Sequence, residues 1–532
     1  MRVGGEHLTL ALSVYGEGRG EVREGGWGVR SGEPMEKINT ERIFQEHPFA
    51  RTILERLLEA GYQAVMVGGV VRDALRAQFE GDDEFIPEEV DIATAAHPDE
   101  IKKILRDFRI VEVGEAFGVV LVVAPDGRSY EVATFRTEGE YDGRWPKRVK
   151  LVRSLDADIR RRDLTINGLA ATLDGTVIDR VGGLEDLKAK VIRTIGDPNR
   201  RFSEDYLRIL RAIRFACVLD GTILPEVSQA MRKHKEGLKK ISAERIRDEF
   251  LRILSTPRAS RGIELLEEHG IVELLFPELA QCKGVPQPEK YHPEGDVYTH
   301  TLLALRCADK IVRDPLVKFA LLVHDVGKPI ALQRNHYEHA GGHEVIGEQM
   351  AERICRRLRF STEEMRLIKF LVREHLRIGK FHKMSPGKRA TLLSTHENKS
   401  APFERPAARF PYFAKLVELM ICDCEASAHR ASGWLPVVQE LPPLLVRLRE
   451  LAERERARKL LDGHDLLQMG LSPGPRIREI LDAVYDQIFS GKITTREEAL
   501  ALAQQLLSTS HLTRSLSASG EGQGEVGSPL PV

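Results

Sequence analysis

The sequence predicts an α+β protein: a head of mixed sheet and helices, followed by an all-helical remainder. Three observations carry this. Between about 40 and 180, short β-rich runs alternate with helix-period segments. Beyond about 182, apolar residues recur at i, i+3 and i+4, as at Leu207, Leu210, Ala212, Ile213 and Ala216, and strand-like runs disappear. With 532 residues the chain is too long for a single core.

Taken in order, residues 1–40 are rich in glycine and charge and are expected to be a disordered tail. The head, 41–181, has helix signals at Phe49–Ala60 and Pro98–Phe108. Its β-rich runs are Ala64–Val67, Val90–Ala93, Gly118–Ala124 and Ser129–Phe135. A helical neck and body spans 182–285, and a histidine-rich helical domain spans 286–430. Within the latter, the Pro/Arg-rich stretch 385–412 reads as an irregular connection. A helical tail fills 431–507, and the Ser/Gly/Pro-rich residues 508–532 are expected to be disordered.

Composition narrows the class. The chain is 42% hydrophobic and 30% charged with net charge −1, so a nucleic-acid partner would have to meet a local basic patch. No run of eighteen apolar residues exists, so no membrane partner is expected, and no apolar signal core is seen. Six scattered cysteines without a CxxC fit a reducing cytoplasm.

The chemistry-bearing phrases begin at Val65-Met66-Val67-Gly68-Gly69-Val70-Val71-Arg72-Asp73, which reads strand, tight turn, helix. Glycines let backbone approach a phosphate, and a helix N-terminus favours negative charge. Glu89 and Asp91 are spaced i, i+2, which in a strand points both carboxylates to one side, as shared divalent ions require. A third acid, Glu131, lies in another β-rich run. Eight basic residues follow between 144 and 162: Arg144, Lys147, Arg148, Lys150, Arg153, Arg160, Arg161 and Arg162. They suit a triphosphate or an RNA backbone. Arg161-Arg162-Asp163-Leu164-Thr165-Ile166-Asn167 reads as a helix start. In Glu204-Asp205-x-x-Arg208 an acid and a base are expected on one helical face, with a Glu204–Arg208 surface ion pair as the plainer reading.

Together, Gly68-Gly69-x-x-Arg72-Asp73, Glu89-x-Asp91-Ile92-Ala93-Thr94, Arg161-Arg162-Asp163-x-Thr165-x-Asn167 and Glu204-Asp205-x-x-Arg208 resemble class II tRNA nucleotidyltransferases. That family includes bacterial poly(A) polymerases. The resemblance covers roughly 50 to 280. It implies a polymerase-β-like nucleotidyltransferase head and an enzyme that adds CMP and AMP from CTP and ATP to the tRNA 3′ end without a template. It implies Mg²⁺ held by Glu89 and Asp91, with Glu131 as a third acid. Glu89 stands where the family usually has aspartate, and metal binding is expected to survive the extra methylene. Gly68, Gly69 and Arg72 are implied at the triphosphate, and Arg162, Asp163 and Asn167 near sugar and phosphates. Asp205 and Arg208 are implied at the base, with Arg211 also binding nucleotide.

A second constellation comprises His300, Val323-His324-Asp325-Val326-Gly327-Lys328, Gly342-His343-Glu344, His375 and Asp423. It resembles the HD phosphohydrolase superfamily across roughly 290 to 430. That resemblance implies a divalent metal of unspecified identity on His300, His324, Asp325 and Asp423, with His343 and His375 for a second metal or a phosphate. His292, His336 and His339 have no motif support. Arg356, Arg357, Arg359, Arg373 and Arg377 are candidate RNA contacts. Two other readings stand beside the first: a poly(A) polymerase, and a metal-dependent phosphodiesterase that keeps the head only to bind RNA.

Overall fold

The computed structural model describes residues 36–517, except 83, 113–117, 140, 143–144, 147–148, 291, 337, 428–433 and 490–491. Most of the expected N-terminal tail, residues 518–532, and Arg144, Lys147 and Arg148 of the basic run lie outside this range. The chain forms two compact units.

The first unit holds the described residues up to 112, with 119–133 and 169–179. Its sheet has seven strands: β1 (Ala64–Val67), β2 (Asp91–Thr94), β3 (Arg109–Glu112), β4 (Val119–Val123), β5 (Ser129–Thr134), β6 (Ala170–Ala171) and β7 (Val177–Ile178). Their order is β7-β6-β1-β2-β5-β4-β3. All four residues of β1 are buried, which suits a central strand. On β4 and β5 burial alternates: Val120, Val122, Tyr130 and Val132 face the core while Glu131 is exposed. The helix Pro48–Glu59 buries Ala50, Ile53, Leu54 and Leu57, one stripe of a 3.6-residue period. Strand β3 escaped the sequence reading; Arg109 and Glu112 leave it only two apolar residues, where β1 is apolar throughout.

The second unit holds 134–168 and 180–517 and is dominated by helices. Strand pairing nevertheless persists beyond 182, because Val191–Ile192 pairs in parallel with Thr222–Ile223. Two residues carry no periodic signal. The stretch 385–412, expected to be irregular, contains the helix Pro386–Ser394, which proline pre-organises at its first position. The last helix, Arg496–Ser517, runs past 507, since extending a formed helix costs little per residue.

Phe250 packs against Phe276 at 4.5 Å and meets Phe319 edge-on at 6.1 Å, and Phe319 packs against Phe360 at 4.8 Å, so the body helices and the histidine-rich helices share one core. Buried Lys318 strengthens that junction: its ammonium donates to the Thr256 carbonyl at 2.8 Å and pairs with Asp309 at 3.1 Å. Asp309 in turn accepts from the Ala259 and Ser260 amides that open the next body helix. No helix among the described residues is long and apolar enough to cross a membrane.

Gly68 sits at φ 73°, ψ −128°, a conformation closed to residues with a Cβ. Gly68→Ala is expected to lower the unfolding free energy of the head by about 1–3 kcal/mol, read from the urea midpoint. Gly69→Ala is the matched control. Its Cβ would meet only side-chain atoms at 3.7 Å or beyond, so near-wild-type stability is expected.

Candidate functional site

In the head, β1 and β2 pair antiparallel with Val67 opposite Asp91. The Gly68–Gly69 turn and the start of the helix Gly69–Glu80 therefore lie at the Asp91 end of the sheet. That helix has no side-chain N-cap, which leaves its first amides to an outside acceptor. Arg72 is buried and paired with Asp73 at 2.6 Å.

Glu89 is not in the strand with Asp91, contrary to the sequence reading. Continuing the ladder would require Gly69 opposite Glu89, and Gly69 has already turned into helix. Glu89 is exposed, Asp91 half-buried and Glu131 exposed on β5, the neighbour of β2. Among the described residues these three acids do not bring their oxygens within 4.8 Å of one another.

A buried histidine braces this edge, one that sequence reasoning passed over. His47 Nε2 lies 2.8 Å from the Pro87 carbonyl, which only accepts, so Nε2 carries the proton. In the neutral ring Nδ1 then accepts from the Tyr130 hydroxyl at 3.2 Å. One imidazole thus ties the segment leading to Glu89 to the residue before Glu131.

In the second unit the two phrases singled out from sequence are one structure. Residues 161–168 form a loop with a single 3-10 turn, Thr165–Asn167, and not the helix start that was expected. Asp163 dictates this. Its carboxylate accepts from the Leu164 amide at 2.8 Å, from Asn167 Nδ2 at 3.0 Å and from Arg211 Nε at 2.6 Å. Such local side-chain bonds compete with helix. Burial raises the Asp163 pKa, but Arg211 and these donors outweigh it and hold the carboxyl well below the usual range. Arg161 and Arg162 both pair with buried Asp158, at 2.8 and 3.0 Å.

Asp205 and Arg208 do not share a helix. The helix Pro198–Glu204 ends, Asp205 is extended at φ −148°, and the helix Leu207–Leu219 begins. The Asp205 carboxylate accepts from the Leu207 amide at 3.1 Å, drawing the chain out of the first helix to start the second. Asp205 is also gripped by Arg245 at 2.7 and 3.3 Å, a partner forty residues away with no motif to announce it. Arg208 pairs with Glu204 at 2.6 Å, the plainer reading of that motif, but half-buried and not on the surface. It also donates to the carbonyls of Arg201 and Arg161, at 3.1 and 3.4 Å.

The histidine-rich cluster is assembled by five helices and their flanks. His300 comes from Val297–Ile311, His343 from His343–Arg357, His375 from Thr362–Ile378 and Asp423 from Pro411–Ala426; His324 and Asp325 follow Pro315–Val323. Nε2 of His300 lies 2.9 Å and Nε2 of His324 lies 3.6 Å from Asp423 Oδ1. Asp325 is 3.2 Å from His324 Nε2, 3.2 Å from His343 Nε2 and 3.8 Å from His375 Nε2. Two triads could each hold a metal ion: His300, His324 and Asp423, and Asp325, His343 and His375.

Ring orientation is set from behind. Nδ1 of His324, His343 and His375 faces the carbonyls of Leu321, Ala340 and Val372 at 2.6, 2.8 and 2.7 Å. Carbonyls only accept, so each Nδ1 donates and Nε2 is the nitrogen turned to the cluster, where those of His343 and His375 stand 3.2 Å apart. His324 Nε2 and both Asp325 oxygens are buried without a hydrogen bond, although Lys328 stands 2.6 Å from Asp325 as an ion pair. Burial favours neutral rings. For His324 the adjoining Asp325 and Asp423 outweigh burial and raise the pKa to about 10; for His375 burial prevails, and it falls to about 4. Gly327 makes the helix contact possible, since a Cβ there would run into the His343 carbonyl and the Gly347 amide.

His336 and His339 belong to no potential ligand group among the described residues, whereas His292 does, with Glu294. The arginines proposed for RNA are largely engaged: Arg357 with Glu278, Arg356 with Glu352, Arg377 with Glu374 and, at 3.9 Å, Arg373 with Glu348.

Comparison with known proteins follows the same division. Residues 64–193 match the family model described as Poly A polymerase head domain. Behind this head domain, residues 222–283 match a probable RNA and SrmB- binding site of polymerase A, and 297–397 match an HD domain. Asp423 lies beyond the HD match, yet the fold returns it to the cluster. CCA-adding enzymes of Levilactobacillus brevis and Bacillus subtilis are 45% and 43% identical over 235 and 227 residues, 44% and 42% of this chain. Those matches span 57% and 55% of the relatives, so the chain covers little more than half of their length. The crystal structure of Bacillus stearothermophilus CCA-adding enzyme in complex with CTP is similar at TM-score 0.52 and 27% identity, over 88% of this chain and 99% of that one.

Asp163→Asn is expected to cost on the order of 2 kcal/mol at pH 7, because Arg211 loses its counter-charge. The folded pKa is depressed, so the stabilisation is present above the unfolded value of about 3.9 and is lost as pH falls below it. Urea unfolding of both proteins should therefore converge between pH 4 and more acidic conditions; a gap that stays constant there would contradict the assignment.

Proposed function

We propose that the chain is a tRNA nucleotidyltransferase that adds CMP and AMP from CTP and ATP to the tRNA 3′ end. The observation that carries this is the bonded unit of the second compact unit. Asp163–Arg211 and Arg208–Arg161 join the two phrases, and Asp205 and Arg208 stand at one helix junction. Asp205 accepts from an exocyclic amine, and Arg208 donates to the neighbouring ring acceptor. Cytosine and adenine offer that pair in that order; uracil and guanine do not. The likeness to an enzyme solved with CTP supports the reading. On this reading Asp91, Glu89 and Glu131 would supply oxygen ligands for Mg²⁺; Gly68, Gly69 and Arg72 of the first unit, and Arg162 and Asn167 of the second, are further nucleotide-binding candidates. When bound, the ion neutralises phosphate charge and activates the attacking hydroxyl.

Purified protein, tRNA lacking its 3′ end and each labelled triphosphate supplied singly provide the test. CMP incorporation is expected, followed by AMP, and Asp91→Asn should lower it by on the order of a thousandfold. A long A tail without CMP would identify a poly(A) polymerase instead.

A second activity is favoured by the buried, unbonded His324 Nε2 and Asp325 oxygens. They fit a divalent ion, which in such a cage polarises a phosphate ester and activates water. We infer a metal-dependent phosphohydrolase, with 2′,3′-cyclic phosphate RNA ends as a fitting substrate. His324→Ala should abolish Mn²⁺-dependent hydrolysis of such ends while nucleotide addition continues. Hydrolysis that survives His324→Ala would remove this reading.

A further inference from the structure

We propose that Glu294 is a positioning residue of the HD site, holding His300 with its Nε2 lone pair aimed at a divalent ion. This rests on the metal reading of that cluster. Glu294 lies in the loop before Val297–Ile311 and its side chain is only 4% exposed. Its Oε1 is 2.6 Å from His300 Nδ1 and 2.8 Å from His292 Nδ1.

A carboxylate only accepts, so both ring nitrogens donate. For His300 this fixes a proton on Nδ1; its Nε2 donates to Asp423 Oδ1 at 2.9 Å, and a divalent ion would take the place of that second proton. The three other inward rings, His324, His343 and His375, use neutral backbone carbonyls for the same purpose. Glu294 alone brings a charge, which makes His300 the more basic ligand. His292 is the brace: its ring sits edge-on to His300 at a centroid distance of 4.9 Å and shares the same oxygen. The carboxylate is held from two sides, so it cannot rotate away without breaking both bonds.

The test is calorimetric titration of Mn²⁺ into the full chain. The part of the binding heat that His324→Ala removes defines the HD component. Glu294→Ala is expected to weaken that component by about 10- to 100-fold. Glu294→Gln keeps an acceptor oxygen but no charge, and should recover part of the loss. CMP incorporation, which does not use this cluster, reports that each variant is folded. Unchanged Mn²⁺ affinity in both Glu294 variants, with the His324→Ala loss intact, overturns the proposal. A wild-type protein with no His324-dependent heat overturns the metal reading itself, and this inference with it.

Discussion

The ion pair between Asp163 and Arg211 is the contact on which the candidate nucleotide-handling region depends. Asp163 is nearly enclosed, with only 8% of its side chain exposed, and it must be matched by charge. Arg211 supplies that charge from a helix forty-eight residues away in sequence. The remaining lone pairs bind Asn167 and the Leu164 amide, so satisfying one buried anion shapes the whole loop. Arg201 reinforces it by donating to the Ile195 and Arg160 carbonyls at 2.6 and 2.5 Å. Arg201, Arg208 and Arg211, from two successive helices, therefore hold a loop that has almost no secondary structure of its own.

The HD cluster follows the opposite logic. There the anions, Asp325 and Asp423, sit among imidazoles, and acceptors behind the rings decide which nitrogen looks inward. Its design is directional where the first is a matter of charge balance. Gly327 serves it indirectly: by lacking a Cβ it admits the helix that carries His343 to close range.

Much of this was legible in the sequence, for identifiable reasons. The buried strand β1 shows as an unbroken apolar run, and the amphipathic helix Pro48–Glu59 is long enough to display its period. The ordered motifs also named Asp163, Asp205, Arg208 and the five helices' worth of HD residues. What stayed hidden was tertiary in origin. The break at Asp205 arises where its carboxylate accepts the Leu207 amide and Arg245 holds it, which spacing alone cannot reveal. Glu89 leaves the strand because its would-be partner, Gly69, is claimed by a helix. Arg245 and His47 have no motif and acquire meaning only from what they touch. Glu294 had a faint signal, an acid lying between two histidines.

The guanidinium of Arg208 has a further consequence. Glu204 and two backbone carbonyls fix its plane when the chain folds, so its donor edge has few rotamers left to lose. A template strand obtains its rigidity from stacked neighbours. On the proposed reading a folded polypeptide would supply the same stiffness in place of such a strand.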